Sequence, residues 1–324
     1  MLSAKIMQQY GIKRDWRRAG YFETSKTKEV SADILQAIMA GRLIAVSGPV
    51  GVGKTTMITL LQERIVTERK VIFARSLSID KPRVVLPSLI TALFLDIAGD
   101  PEMKVPTQPE KRERLLQDAI AGAKKPVVLF IDEAHDLHAN TLNGLKRLME
   151  IVDAGHGTLS VVLVGHPRLQ NDLRRATMEE IGNRTTRLTL EGLGQDCAAY
   201  IDWLLDACLD DKTNPDDVID PDARAFLAEK LNTPLQIAEH LSRAFTDAYR
   251  MGSDRVTRDI VMDTISVGFE DLDARLARIG YTPKTLSDQF ELSQAEVRRF
   301  LKGRLDTDRT SELGDIMRKA GLPI

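Results

Sequence analysis

The sequence predicts an α/β protein in which a parallel sheet is followed by an all-helical part. Between residues 31 and 190, short apolar runs rich in β-branched residues alternate with stretches of helical periodicity. Such continuous apolar strands, separated by helices, are typical of a parallel sheet covered on both faces. From about residue 195 onward the apolar residues recur only at helical spacing. A chain of 324 residues has room for roughly two domains and a small third one.

The predicted elements follow from these patterns in chain order. The expected strands are 43–47, 71–75, 127–132, 160–165 and 186–190. The expected helices between them include 54–68, 83–98, 108–123 and 141–154. In the helical part, Asp220 and Pro221 favour a helix start and Gly252 a helix end. The last section contains four short helical stretches, 271–279, 283–290, 293–302 and 310–320.

These patterns divide the chain into four segments. They are a basic N-terminal arm at 1–30, a nucleotide-binding core at 31–192, a helical segment at 193–268 and a small helical domain at 269–324. The arm carries five Lys/Arg against one Asp in its first eighteen residues, a net charge of 5 − 1 = +4. It is either an arm that contacts a neighbour or nucleic acid, or a solvated segment with aromatic anchors.

Composition excludes several classes of protein. The formal net charge is −2, so any nucleic-acid contact must come from local basic patches. Cys197 and Cys208 are the only cysteines, which is inconsistent with a disulfide scaffold and fits a reducing compartment. The N-terminus lacks the apolar core of a signal peptide, and no run approaches the ~20 apolar residues that span a bilayer. We therefore expect a cytoplasmic protein without membrane contact.

A phosphate-binding loop is predicted at 48–55, where G-x-x-x-x-G-K-T follows an apolar strand and opens a helix. Glycines let backbone N–H groups turn towards phosphates, and the helix presents its N-terminus to the anion. Lys54 would contact the β- and γ-phosphates of ATP, and the Thr55 hydroxyl would bind Mg²⁺. The predicted nucleotide-binding residues are Gly48, Pro49, Val50, Gly51, Val52, Gly53, Lys54, Thr55, Thr56 and Asp132.

Two acidic residues follow the predicted strand at 127–132. Asp132 falls at its carboxyl end, where ligands bind in parallel sheets, and can join Thr55 in holding Mg²⁺. Glu133 can polarise the attacking water. An Asp-Glu pair at this place indicates hydrolysis of ATP rather than binding alone.

These two motifs together resemble those of AAA+ ATPases over residues 31 to about 267. The resemblance implies a P-loop AAA+ core, a helical lid at 193–268 and a sensor of the γ-phosphate at His166, after the next strand. It also implies an arginine given in trans to the neighbouring subunit's nucleotide, for which Arg184 is the preferred candidate and Arg187 an alternative. Arg174 and Arg175 are in reserve.

The lid departs from the family pattern at the position of a second sensor. The family often has a Gly-x-x-Arg-like step, whereas this chain has Asn232 and Gln236. The departure puts a second sensor in doubt and favours slow ATP hydrolysis, stimulated by DNA or a partner. Slow hydrolysis suits a switch better than a motor.

The stretch 285–303 resembles a helix-turn-helix. Ser287 occupies the small position of the first helix, Ser293 caps the second, and Gly303 ends it. Basic residues on and after the second helix can contact phosphates or guanine edges in DNA, namely Arg298, Arg299, Lys302 and Arg304. Glu291 stands where glycine is usual in the turn, and residues 271–324 hold ten Lys/Arg against nine Asp/Glu, so a protein-binding domain stays open.

The layout is similar to transposition-helper ATPases of the TniB, TnsC and Mu B type, which are related to ExeA-like ATPases. The resemblance implies head-to-tail assembly of ATP-bound copies around double-stranded DNA, as a ring or helical filament. It also implies recruitment of a transposase, and dismantling by hydrolysis. Its DNA-facing loop would hold Lys81 and Arg83. Two alternatives stay open, an ExeA-like secretion ATPase and an ATP-gated helix-turn-helix transcription regulator.

Overall fold

The computed structural model describes residues 2–75, 86–98, 105–134, 137–173, 181, 185–265, 272–278, 281–320, 322 and 324. Their contacts define two compact units, which we treat separately. The sheet unit comprises the described residues of 25–48 and 54–190. The helical unit comprises the described residues of 2–24, 49–53 and 191–324. The four segment boundaries predicted from the sequence stay predictions.

The sheet unit is built on parallel strands that appear where the sequence predicted them. The strands are β1 (Leu43–Ser47), β2 (Ile72–Arg75), β3 (Val127–Ile131), β4 (Leu159–Gly165) and β5 (Thr185–Thr189). The described strands pair in the order β2-β3-β4-β1-β5, and each pair is parallel. Every residue of β1, β3 and β4 is buried, which explains why these runs are continuously apolar. The edge strand β5 has alternating exposure instead.

The helices that the sequence predicted are present in the same order, together with others that it did not predict, such as Ser25–Met39. They are α1 (Ala4–Gln9), α2 (Ser25–Met39), α3 (Lys54–Glu68), α4 (Leu86–Ala98), α5 (Pro109–Ala123), α6 (Ala139–Ala154), α7 (Arg168–Leu173), α8 (Cys197–Cys208), α9 (Pro215–Val218), α10 (Pro221–Lys230), α11 (Pro234–Met251), α12 (Arg258–Ile265), α13 (Leu272–Arg278), α14 (Pro283–Phe290), α15 (Gln294–Leu301) and α16 (Thr307–Lys319). Helix α16 begins three residues before the predicted start because the Asp306 carboxylate accepts the Arg309 N–H and caps it.

The N-terminal residues are part of the core of the helical unit. Tyr10 and Trp16 are buried, and their rings lie 5.0 and 5.5 Å from the ring of Phe245 in α11. The Tyr10 hydroxyl donates to the Ser253 carbonyl at 2.7 Å. These buried rings are aromatic anchors, as in one of the two possibilities that the sequence left for this segment. Tyr10 and Trp16 are core residues, whereas nearby basic side chains pair with acids at the surface.

The C-terminal helices α13 to α16 enclose a small apolar core of their own. Leu286, Val297 and Phe300 are fully buried in it, as the helix-turn-helix pattern predicts. The Ser293 hydroxyl accepts the N–H of Glu296 at 3.1 Å and caps α15. A helix, a short turn and a second helix are therefore present at 283–301.

The turn between α14 and α15 has the backbone that usually requires glycine. Glu291 has φ 54°, in the left-handed region. The Ser287 hydroxyl donates to the Leu292 carbonyl at 2.6 Å and closes the turn. The glutamate therefore adopts the left-handed conformation in place of the usual glycine.

Candidate functional site

Lys54 lies at the start of α3, directly after the loop that leaves β1. Its Nζ donates to the carbonyl of Gly48 at 2.9 Å. Burial lowers the pKa of Lys54, and the nearby carboxylates of Glu133 and Asp132 partly offset that effect. The ammonium is thus a partly desolvated cation, which an anionic ligand would stabilise.

Asp132 and Glu133 follow β3 at its carboxyl end, as predicted. The Thr55 hydroxyl donates to Asp132 Oδ2 at 3.3 Å, and the Glu133 N–H donates to Asp132 Oδ1 at 2.9 Å. Both acidic residues are exposed, and Glu133 has φ 52°. Left-handed backbone in a glutamate is uncommon and clusters at functional sites. The arrangement joins a hydroxyl, two carboxylates and an ammonium, which are the groups that a metal–phosphate complex needs.

Residues 49–53 connect β1 to α3 and belong to the helical unit. Gly51 has φ 78° and Gly53 has φ 95°, so both positions favour glycine. The Gly51 carbonyl accepts the N–H of Leu235 at 3.2 Å. The Val50 side chain is half-buried against the core of the C-terminal helices. These contacts hold the outer turn of the loop within the helical unit.

Only some of the predicted sensor and arginine residues are among the described residues. His166 follows β4 directly and is half-buried. Arg187 lies in the edge strand β5 with an exposed side chain. Arg184 lies outside the described residues, as do Arg174, Arg175, Lys81 and Arg83.

Gln236 occupies the first turn of α11, near the predicted second-sensor position. Its side chain is fully buried, with its amide bonded to the backbone of the helical unit. Asn232 is likewise engaged, since its side-chain oxygen accepts the N–H of Gly194 at 2.9 Å. In the helical unit, neither side chain is presented as a free polar group at a surface.

The four basic residues predicted to contact DNA are exposed. They are Arg298, Arg299, Lys302 and Arg304, at the end of α15 and just beyond it. In contrast, Arg309 of α16 is engaged with Glu296 at 2.9 Å and with Glu312 at 2.7 Å. The four exposed basic side chains thus differ from that of Arg309, which is paired with two acids.

Sequence reasoning missed two residues that contact the phosphate loop. Leu235 donates its N–H to Gly51. Tyr281 is buried, and its hydroxyl accepts the N–H of Val50. Neither residue belongs to a motif, and both lie far along the chain from the loop, so the sequence carries no signal for these contacts.

The part of the chain that carries this site is similar to known proteins. Residues 38–173 match the family model described as AAA domain. General secretion pathway protein A of Aeromonas hydrophila is 32% identical over 167 residues. That alignment covers 51% of this chain and 30% of the relative, so the chain spans less than a third of that protein's length.

Solved structures show the same fold at low identity. The Aeropyrum pernix ORC2 protein matches with a TM-score of 0.55 and 16% identity, covering 96% of this chain and 99% of the other. Cdc6p of Pyrobaculum aerophilum gives a TM-score of 0.55 and 16% identity, with 95% and 91% coverage. Drosophila ORC bound to DNA gives 0.53 and 13%, with 97% and 83% coverage.

The chain therefore has an AAA+ P-loop ATPase fold with a helical C-terminal region, which confirms the predicted fold class. AAA domains are in general nucleotide-binding ATPases. None of the described helices is long and apolar enough to cross a membrane.

Proposed function

We propose that this protein is a Mg²⁺-dependent ATPase that assembles on double-stranded DNA and acts as a transposition target-selection and transposase-activating helper. The main support for ATPase activity is the cluster around Asp132, which accepts hydrogen bonds from Thr55 and from the Glu133 N–H. The Lys54 ammonium is close enough for both carboxylates to influence its pKa. The fold and the AAA domain match support the same activity.

The residues present fit magnesium bound together with nucleotide. Thr55 and Asp132 offer hard oxygen atoms 3.3 Å apart, the donor type that Mg²⁺ prefers. Among the described residues, no group of three or more His, Cys, Asp or Glu could hold a metal by itself. That is expected where phosphate oxygens and water supply the other ligands, and bound Mg²⁺ would neutralise charge on those phosphates.

Each residue of the proposed site then has a distinct role. Lys54 exchanges the Gly48 carbonyl for the β- and γ-phosphates, and Glu133 orients and polarises the attacking water. His166 senses the γ-phosphate. Arg184 of one copy acts on the nucleotide of its neighbour in a head-to-tail oligomer. The remaining loop residues, 48–53 and Thr56, line the phosphates.

The engagement of Gln236 supports slow hydrolysis. Its amide is bonded to backbone groups inside the helical unit, and it has no positive charge to stabilise a leaving phosphate. An ATPase without that charge is suited to holding an assembled state until DNA or a partner accelerates hydrolysis. This supports a switch rather than a motor.

The exposed basic residues of α15 support duplex DNA as the partner. Arg298, Arg299, Lys302 and Arg304 form a cationic patch on a chain of formal net charge −2. One similar structure, that of Drosophila ORC, was solved bound to DNA. Lys81 and Arg83 are proposed as further contacts. Contacts to the DNA backbone would make binding dependent on salt and weakly dependent on sequence.

Electron microscopy with and without duplex DNA and ATP tests this proposal. We expect long assemblies on DNA with a slowly hydrolysed ATP analogue, and none with Lys54→Ala. The matched control is Lys70→Ala, which removes an exposed lysine paired only with Glu68. Glu133→Gln should bind ATP and stay assembled. The proposal is wrong if the wild type forms no DNA-dependent assembly, or if Glu133→Gln disassembles as fast as the wild type.

A secretion ATPase is the second candidate, because of the 32% identity to General secretion pathway protein A. It predicts ATP hydrolysis that is indifferent to DNA. The helix, turn and helix at 283–301 also fit a transcription regulator, for which we expect a small closed oligomer and a sequence-specific footprint. The same microscopy, combined with footprinting, separates the three functions.

A further inference from the structure

Two successive residues of the phosphate loop are held by other residues of the helical unit. The Val50 N–H donates to the hydroxyl of Tyr281, and the Val50 side chain packs against the same C-terminal core. The Gly51 carbonyl accepts the N–H of Leu235 at 3.2 Å. A Cβ added at Gly51 would lie 2.2 Å from the Leu235 Cβ, so the two backbones are in close approach. The loop is thus held by two residues, Tyr281 and Leu235.

The tyrosine that holds Val50 is itself fixed. Tyr281 is 1% exposed and sits at the N-terminal side of α14. Its backbone N–H donates to the Leu276 carbonyl at 2.9 Å, and its hydroxyl also accepts from the side chain of Gln289. A buried ring with a bonded hydroxyl is a rigid support, because a change of rotamer would break the bonds of the hydroxyl.

Holding these groups orients the loop for phosphate. A peptide unit is planar and trans, so the carbonyl of Gly51 and the N–H of Val52 point in opposite directions. The bond to Leu235 keeps the Gly51 carbonyl directed at α11, and the Val52 N–H is therefore directed the other way. Phosphate is repelled by carbonyl oxygens and attracted by N–H groups, so a loop held in this orientation needs less reordering to bind it.

We propose that Tyr281 is a positioning residue for the phosphate loop, setting its backbone for nucleotide through the Val50 N–H. The inference rests on the proposed function, since it requires that the loop binds ATP. Tyr281 acts on the backbone of the loop rather than on the reacting atoms. Its effect is on the binding of nucleotide in both the ground state and the transition state.

Tyr281→Phe tests the proposal, because it removes the hydroxyl and keeps the ring. One net hydrogen bond corresponds to about two- to ten-fold in affinity. We expect the Kd of a fluorescent ATP analogue and the KM for ATP to rise by about five-fold, within that range, with kcat unchanged. A loss of kcat with KM unchanged would overturn the proposal.

Tyr10→Phe is the matched control. It also removes a buried tyrosine hydroxyl in the helical unit, one that donates to Ser253 at 2.7 Å without contact to the loop. Both variants should lose a similar amount of thermal stability, but Tyr10→Phe should bind nucleotide as the wild type does. Equal weakening of nucleotide binding in both variants, or none in Tyr281→Phe, would overturn the inference. A wild type that binds no nucleotide at all overturns the proposed function instead, and this outcome is visible before any variant is made.

Discussion

Replacing Gln236 with leucine is expected to destabilise the helical unit by about 4 kcal/mol. The buried amide makes bonds in two directions. Its Oε1 accepts the N–H groups of Asn232 and Thr233, each at 3.0 Å. Its Nε2 donates to the carbonyls of Arg318, at 3.3 Å, and Leu322. The side chain therefore connects the start of α11 to the last turn of α16 and to Leu322 beyond it.

The magnitude follows from the groups left without a partner. Leucine has a similar volume but no polar atom, so four buried backbone groups lose the amide. At about 1 kcal/mol for each group, the loss is about 4 kcal/mol, a large part of a typical unfolding free energy of about 5–15 kcal/mol. Gln117→Leu is the matched control, since the Gln117 amide makes one bond of this kind, to the Ile151 carbonyl at 2.8 Å. We expect it to cost about 1 kcal/mol.

Urea denaturation followed by tryptophan fluorescence measures the free energy of unfolding of the helical unit. The two tryptophans of the chain are Trp16 and Trp203, and both belong to the helical unit. Circular dichroism follows both variants in parallel. A Gln236→Leu protein within about 1 kcal/mol of wild type would refute the bonding described here. Lost ATP hydrolysis at unchanged stability would show instead that Gln236 acts on the nucleotide.

Four further outcomes are expected. Gly51→Ala should weaken ATP binding in a fluorescence titration, because φ is 78° and the added Cβ would meet a neighbour at 2.2 Å; wild-type affinity would contradict this. Cys197 and Cys208 should resist iodoacetamide at pH 8 in the native protein and react in urea, as mass spectrometry can count, because burial raises their pKa to about 12 and about 11. Because burial raises both thiol pKa values above the ordinary value of about 9, the folded protein holds these protons more tightly than the unfolded protein does. The contribution of the two thiols to the free energy of unfolding is therefore fully present at neutral pH and is lost as pH rises from about 9, where alkaline denaturation should begin. Removing Arg298 and Arg299 together should reduce the salt slope of DNA binding by about 2, whereas an unchanged slope would place the DNA elsewhere.

The sheet could be predicted because local composition determines it. Leu43–Ser47 is buried at every position, so each residue of the run had to be apolar or small, and its pattern is unambiguous. The loop after it needs glycine where φ is positive, at Gly51 and Gly53. The pairing of Thr55 with Asp132 was predictable from two motifs and the rule that ligands bind at the carboxyl ends of parallel strands.

The N-terminal segment shows what charge counting leaves out. Its net charge of 5 − 1 = +4 in eighteen residues indicates a surface for the basic side chains, whereas Tyr10 and Trp16 are core residues. Basic side chains in this segment can stay at the surface beside acids of the helical unit, while the aromatic rings turn inward to Phe245. The sequence shows both kinds of residue but not the helix on which the rings pack.

From the sequence alone, the start of α11 could be interpreted only by the absence of a second-sensor arginine. The sequence shows that no arginine stands near Gln236, and this alone made a second sensor doubtful. The structure gives the glutamine a different role, because a fully buried amide can satisfy two donors and two acceptors at once, which a guanidinium, a donor only, cannot do. An arginine at this position would leave the Asn232 and Thr233 N–H groups without an acceptor. The same position therefore cannot both hold the C-terminal segment in this way and present a positive charge to a nucleotide. In this chain Gln236 makes the bonds to the C-terminal segment and carries no charge, which agrees with the slow hydrolysis that we propose.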